Sequence, residues 1–412
     1  MEDKKTEFRI INLNESYNPR YDELFVNARQ YVTWGEDNMY PYYLIKLLNK
    51  SAKHRAIVET KASMVGGNGW NIEGADPNMI NFIKNKYSKD DLNIILKKVA
   101  LDYEVLGSFC LNVIWSKDRQ TISRIEYIDT SKVRVHYDTD TNIDGYLVCD
   151  DWLNIRKFKP VLYTPFSITD RGQASQILYV KNYSPGCDYY SVPTYVGGVN
   201  WIELEYEISN FHLSSVKNGF SPGMVVNFSQ GIPSNEEMAN VVSRLKSEYA
   251  GASNGGKVLI TFSDGKDNAP IITPISLNDS DERFTQLNAE VTEGILCAHQ
   301  VTNPTLFGIK TPGELGGSKD ILDALNVMKS QYIIPRQKLI EDTFNRLSAI
   351  NGLQPMKINE FNLDLDVQII PSDIIGVLTS PLSSEQKRII LEMIGVTPTE
   401  ATKLTEENNN IS

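Results

Sequence analysis

Apolar residues recur along the chain in two rhythms, and the change between them divides it. The first forty residues are polar and aromatic and read as an extended arm to about Pro41. PYYLIKLLN then reads as a short helix, and Ser51 as the cap of a second helix closing at Gly66 and Gly67. Ser88 to Asp91 resembles a capping box ahead of Leu92, Ile95, Leu96, Val99 and Tyr103, with Gly107 as the stop. From there to about Tyr183 the period shortens to two. SFCLNVIW, SRIEYID, KVRVHYD, GYLVC, PVLYT and QILYV are each bounded by turn formers and predict antiparallel strands. The first half is therefore an α+β domain.

A Gly-, Pro- and Tyr-rich loop (SPGCDYYSVPTYVGG) leads into a helical half. The helix at 198–218 puts Trp201, Leu204, Ile208 and Phe211 on one stripe. The strand GMVVNF comes next. Ser234 and Glu237 then cap a helix carrying Met238, Val241, Val242, Leu245 and Tyr249, and the strands KVLITF and IITPIS follow. A helix at 280–302 places Phe284, Leu287, Val291 and Ile295 on one face, and Asp281, Glu282, Glu290 and Glu293 on the outward one. The loop NPTLFGIKTPGELGGS is too long and glycine-rich for a simple turn, which predicts a functional or mobile segment. A long helix from Lys319 to Ile350 carries Pro335 in its middle, so a kink is expected near Tyr332–Pro335. The tail predicts a strand (LDVQII), a helix near Glu385–Ile394, and a capped helix opening at Thr397 and Pro398.

The 412 residues allow two to four domains at roughly 100–200 residues each. A net charge of −11 argues against a broad phosphate-gripping surface, which needs clustered Lys and Arg. Cys110, Cys149, Cys187 and Cys297 lie far apart, forming neither a disulfide framework nor a zinc spacing, and suit a reducing compartment. The first residues lack a signal-peptide core, and no run approaches the ~18 apolar residues of a membrane span. A chain that is soluble and intracellular at synthesis, without membrane association, is the expectation.

The candidate chemistry is thin. Gly251 to Lys257 (GASNGGK) fits GxxxxGK, but a helix precedes it, a strand follows, and Val258 stands where a magnesium-binding Ser or Thr belongs. The run is read as a connection and nucleotide binding is rejected. The glycines at 66, 67 and 69 read as a helix C-cap and turn rather than an anion nest. His54, His136, His212 and His299 form no HxxxH or HExxH and read as packing or surface histidines. Cys297 and His299, two apart on a helix, point to different faces and make a poor nucleophile–base pair. No catalytic constellation, metal site or cofactor site emerges, and no enzymatic activity is expected.

The order of elements in the second half carries more information. It runs helix, strand–helix–strand–strand insertion, helix, long loop, kinked helix, small C-terminal helices. That order resembles the portal proteins of tailed bacteriophages. The residues carrying the likeness are Phe211 and Asn218 to Gly223, Glu248 to Gly251 with Asn254 to Leu259, and Val301 to Gly308 (VTNPTLFG). Ile334 and Pro335 with Ile340, Glu341 and Phe344 to Leu347 also match, as do Trp34 to Asn38 (WGEDN) with Ala56, Gly66 and Gly67. The likeness covers roughly residues 30 to 400.

The resemblance implies a portal-like α+β fold. Residues 1–197 would be the wing, 198–218 and 280–302 the two stem helices, and 219–279 the clip. Residues 303–318 would be the tunnel loop, 319–371 the long kinked helix and completion of the wing, and 372–412 a helical crown that is short for the family. It further implies a ring, usually of twelve subunits, at one capsid vertex of the virion, assembled in the host bacterial cytoplasm. Its implied partners are the terminase large subunit, the major capsid and scaffold proteins, the head–tail adaptor, and double-stranded DNA passing without sequence specificity. ATP hydrolysis would belong to the terminase. A lining that carries acidic residues repels phosphate at short range and lets DNA slide, a role for Asp281, Glu282, Glu290 and Glu293 if they face inward. Lys310, Glu314 and Lys319 would be the sparse loop charges near the duplex, with phosphate-level contacts only. Met238, Val241, Val242, Leu245 and Tyr249 would pack within or between clips. Two other readings stay open: a different virion component such as an adaptor or baseplate protein, and a metal-dependent nucleic-acid enzyme with 303–318 as its lid.

Overall fold

The period-two runs at 108–181 become the centre of an eight-stranded sheet. Its strands are β1 (Phe25–Val26), β2 (Tyr31–Val32), β3 (Ser108–Trp115), β4 (Ile122–Ile128), β5 (Val133–Tyr137), β6 (Ile143–Val148), β7 (Val161–Pro165) and β8 (Ser175–Lys181). They lie in the order β1-β2-β5-β6-β7-β8-β3-β4. This is a computed structural model, and it describes residues 21–138, 142–217, 225–228, 259–262, 280–310, 318–361, 371–393, 396 and 398–409. β3 is buried along almost its whole length, as expected of a strand covered on both faces.

The pairing is antiparallel with one exception. β7 and β8 run parallel, joined only at Thr164–Gln176 and Pro165–Ile177. Alternation reports a half-buried strand but not the direction of its neighbour, so the sequence expectation of an all-antiparallel sheet fails there. The arm read as extended contributes β1 and β2, with Tyr31 registered on His136 of β5.

Helices cover this sheet. The first is α1 (Tyr40–Lys50), then α2 (Ala52–Gly66), α3 (Pro77–Lys84) and α4 (Leu92–Leu106). Ser51 caps α2 by accepting from the His54 amide at 3.1 Å. The α4 cap is Asp91, accepting from the Ile94 amide at 2.8 Å, rather than Ser88. An N-cap side chain must reach an amide two or three residues on, and only Asp91 stands at that distance. Ile57, Val58, Leu92, Ile95, Leu96 and Val99 from α2 and α4 join Phe109, Leu111 and Val113 of β3 in the main core.

The second half begins with α5 (Val199–Lys217), then β9 (Val225–Phe228) and β10 (Leu259–Phe262), which pair in parallel, then α6 (Ser280–Ala298). A parallel pair needs a long crossover between its strands. The residues read as that crossover helix, Met238, Val241, Val242, Leu245 and Tyr249, lie outside the described residues. So do GASNGGK and the strands read at IITPIS and LDVQII.

A 3₁₀ turn at Pro304–Phe307 precedes α7 (Ser318–Met328), a π-helical turn at Lys329–Ile333, and α8 (Ile334–Ile350). The region read as one kinked helix is thus two α-helices joined by a π turn. The turn sits immediately before Pro335, whose ring nitrogen has no hydrogen to give the Gln331 carbonyl. After α8 the chain returns to the end of α2. There Asn68 donates to the Asn359 carbonyl at 3.0 Å and Asn359 to that of Gly69 at 2.8 Å. Gly67 is held at φ +52, and a Cβ on it would stand 2.1 Å from that same Asn359 oxygen, so a side chain is excluded. Three last helices, α9 (Pro371–Thr379), α10 (Ser384–Met393) and α11 (Pro398–Asn409), close on a separate small cluster of Leu391, Val396 and Ala401.

Candidate functional site: the paired helices and their junction

α5 and α6 pack against each other through glycines. A Cβ on Gly198 would lie 2.2 Å from the Ala298 Cβ, and one on Gly294 would lie 2.6 Å from the Trp201 ring. Val291 and Ile295 of α6 are fully buried, as their spacing predicts, and Leu287 packs at the edge. The α5 stripe needs correction. Trp201 and Phe211 are 38% and 48% exposed, and the fully buried residue is Ile202. The Trp201 ring packs over Gly294 of α6, where a Cβ would stand, and stays partly exposed instead of entering the core.

Side chains at the α1–α2 corner hold the base of this pair. Tyr43 donates to Glu203 at 3.2 Å, Ser51 donates to Glu205, and Lys53 meets Glu205 at 3.3 Å and Asn288 of α6 at 3.2 Å. Glu203 and Glu205 of α5 are therefore structural acids. Sequence reading passed over them, because two acids two apart on a helix point to different faces and give no local signal that partners from α1 and α2 will reach them.

Among the acids singled out from sequence, Glu290 and Glu293 are exposed on α6, and Glu290 accepts from Gln286 at 3.0 Å one turn away. Asp281 and Glu282 lie in the first turn of α6, with side chains outside the described residues. Lys310 is exposed just past the 3₁₀ turn. Glu314 lies outside the described residues; Lys319 lies in the first turn of α7, its side chain likewise outside them. The structure thus brings Glu290 and Glu293 onto one helix and Lys310 after its end, without contact between them.

A buried polar cluster that sequence did not reveal sits where α6 ends. His54 of α2 and His299, just past α6, are both buried, with Nδ1 of the first 2.9 Å from Nε2 of the second. One nitrogen of this pair must donate and the other accept, so the two rings cannot both be charged comfortably. Burial, reinforced by neighbouring Lys61, holds His54 down at about 3 and His299 at about 2. Tyr195 stacks on His299, and its hydroxyl donates to the Val105 carbonyl at 2.8 Å. Lys61, 1% exposed, donates to the His299 carbonyl and lies 3.8 Å above the Tyr332 ring. Burial lowers the Lys61 ammonium to about 7 despite the neighbouring Glu104 carboxylate. Tyr332 donates to Glu104 of α4, and Arg336 of α8 pairs with the same carboxylate at 3.0 Å. The guanidinium also covers the outer face of the Tyr332 ring at 3.3 Å.

A second buried cation explains the WGEDN run. Arg134 of β5 is fully buried and donates to the carbonyls of Ser131, Val133 and Asn38, each at 2.8 Å, and to the Asn38 side chain. Asn38 also accepts from the Trp34 amide at 3.1 Å, and Trp34 stacks on Tyr190 with centroids 4.6 Å apart. The run is a clasp that closes the first loop over the sheet.

No protein-family profile matches the chain. In fold, it is similar to a subunit of the virion of a native gene transfer agent particle, with TM-score 0.52 at 13% identity over 87% of this chain and 94% of that one. The neck of the native particle, computed with C12 symmetry, gives TM-score 0.50 at 14% identity over 92% and 96%. In sequence it is 25% identical over 352 residues to a probable portal protein of Haemophilus phage HP1, covering 81% of this chain and 90% of the other. The chain thus resembles a phage portal protein in sequence and gene transfer agent particle subunits in fold. Its mixed helix-and-sheet architecture is portal-like. No helix among the described residues is long and apolar enough to cross a membrane.

Proposed function

We propose that the chain assembles into a closed ring of about twelve copies around a DNA channel at one capsid vertex, as the C12 symmetry of the similar neck suggests. In this reading the sheet and α1–α4 form the wing, and α5 and α6 are the stem helices. The insertion between them is the clip that docks the terminase and later seats the head–tail adaptor. Capsid and scaffold proteins surround the ring during assembly in the host cytoplasm, and the three C-terminal helices form the crown.

The observation that carries this reading is the glycine-packed α5–α6 pair, anchored at the wing corner and presenting Glu290 and Glu293 to solvent. Carboxylates facing a duplex repel phosphate without offering it a binding site, so DNA slides. Lys310 supplies a phosphate-level contact beyond the end of the stem, without sequence specificity. Charge reversal tests this directly. Rings carrying Glu290→Lys and Glu293→Lys are expected to assemble normally but to package DNA slowly, with the defect relieved by salt. Normal packaging by those rings would place α6 away from the channel. Lys310→Ala is expected to reduce retention of packaged DNA while leaving assembly intact.

A further inference from the structure

The junction cluster joins the end of α6 to the π turn that precedes α8. The α6 helix ends at Ala298, and His299 follows with a backbone carbonyl that the helix leaves unpaired. Phe307, Leu325 and Met328 keep the following segment on the main core, and the chain then enters the π turn containing Tyr332. Lys61 touches both points: its ammonium takes the His299 carbonyl and rests on the Tyr332 ring. A cation is the favoured partner for the negative end of a helix and for an aromatic face. Beyond Tyr332 the contacts continue into the fixed part of the wing. Glu104 on α4 accepts from the Tyr332 hydroxyl and pairs with Arg336, and Gln337 donates to the Val65 carbonyl at 3.1 Å near the end of α2.

The placement of charge at this point is specific. A buried lysine costs free energy that an apolar residue of similar length does not, and π turns recur where helices serve function. The helix α2 that carries Lys61 is held at both ends, by Ser51 at its start and by the Asn68–Asn359 bonds past its end. Lys61 therefore projects from a fixed element toward two that connect to the segment between them.

We propose that Lys61 is a positioning residue that couples the end of α6 to the π turn before α8, so that the two shift together rather than independently. In a ring, that coupling would pass displacement of one stem helix to the long helix beside it. The inference goes beyond the channel reading and does not depend on whether residues 303–318 meet DNA.

The test is hydrogen exchange on the full-length protein, comparing it with Lys61→Met and Tyr332→Leu. Methionine keeps the length and apolar stem of lysine but lacks its charge. In Lys61→Met, amides at 299–301 and 330–334 are expected to exchange about tenfold faster or more, while α4 and β3 change by less than about twofold. Tyr332→Leu lies in the π turn, yet it is expected to speed exchange at His299, Gln300 and Val301 across the junction. If Lys61→Met fails to fold, Tyr332→Leu carries the test by itself. Loosening confined to 330–334 in Tyr332→Leu, or no local change in Lys61→Met, would overturn the proposal. If the exchange pattern appears while packaging by Lys61→Met rings is normal, the coupling stands and its link to DNA passage falls.

Discussion

Two buried cations among the described residues, Arg134 and Lys61, solve the same electrostatic problem differently. Arg134, in the sheet, directs its donors to carbonyls and a side chain of Ser131, Val133 and Asn38, supplied by its own strand, the turn just before it and one clasping loop. Lys61, at the junction, has one carbonyl and one ring, and both belong to segments more than two hundred residues away. Saturation by four bonds within one clasp makes Arg134 a staple that has no reason to move. Long-range contacts at helix ends make Lys61 a coupling whose loss need not unfold anything. Buried charge is thus not one kind of feature, and its partners' connectivity decides what it does.

That contrast is broken most severely at the staple. Arg134→Met removes the donor to the Asn38 side chain and to three carbonyls in the interior, and is expected to cost about 3–5 kcal/mol. Urea unfolding at constant slope would measure it, and a loss under about 1 kcal/mol would show that the clasp is not needed. Gly294→Ala comes next. Its methyl would meet the Trp201 ring, for a cost of about 1–3 kcal/mol, and pairing it with Trp201→Leu should recover part of that loss.

The junction histidines give a pH-dependent effect. Both are held below their ordinary value by burial, so the unfolded chain binds protons that the folded one refuses. Their contribution is fully present above about pH 6.5 and is lost as pH falls toward about 3, by roughly 1.4 kcal/mol per pH unit for each ring. Asp102, which burial pushes up to about 7, has the opposite sign, so the wild-type slope alone is ambiguous. The difference between wild type and His299→Gln isolates the ring. It should shrink steadily from pH 6.5 to pH 4.5, and a constant difference would contradict the buried neutral pair. Smallest of all is the effect on stability of Glu290→Gln and Glu293→Gln, which should stay within about 0.5 kcal/mol because both carboxylates are exposed.

Much of the fold was legible because its elements announce themselves locally. The Ser51 cap, the Gly107 stop and the runs at 108–181 each follow from chemistry within a few residues. What escaped had a non-local cause. β1 and β2 are two residues each, and only pairing with β5 makes them strands. The direction of β7 against β8 depends on where the connection returns. Trp201 reads as core by spacing but packs over Gly294 at the surface, in space that only a residue without a side chain leaves open. The histidines were read as packing or surface residues, and nothing in sequence says that His54 and His299 meet 245 positions apart. Glu104 and Lys61 drew no reading from sequence, because their partners also lie more than two hundred positions away.

The measurement closest to the central claim is the mass and symmetry of the purified full-length protein, by native mass spectrometry with negative-stain imaging. The account predicts closed rings of about twelve copies with an open centre wide enough for a duplex, in line with the C12 neck whose fold it shares. A defined dimer or other small closed oligomer, persisting at high concentration and in the presence of capsid and scaffold proteins, would contradict it.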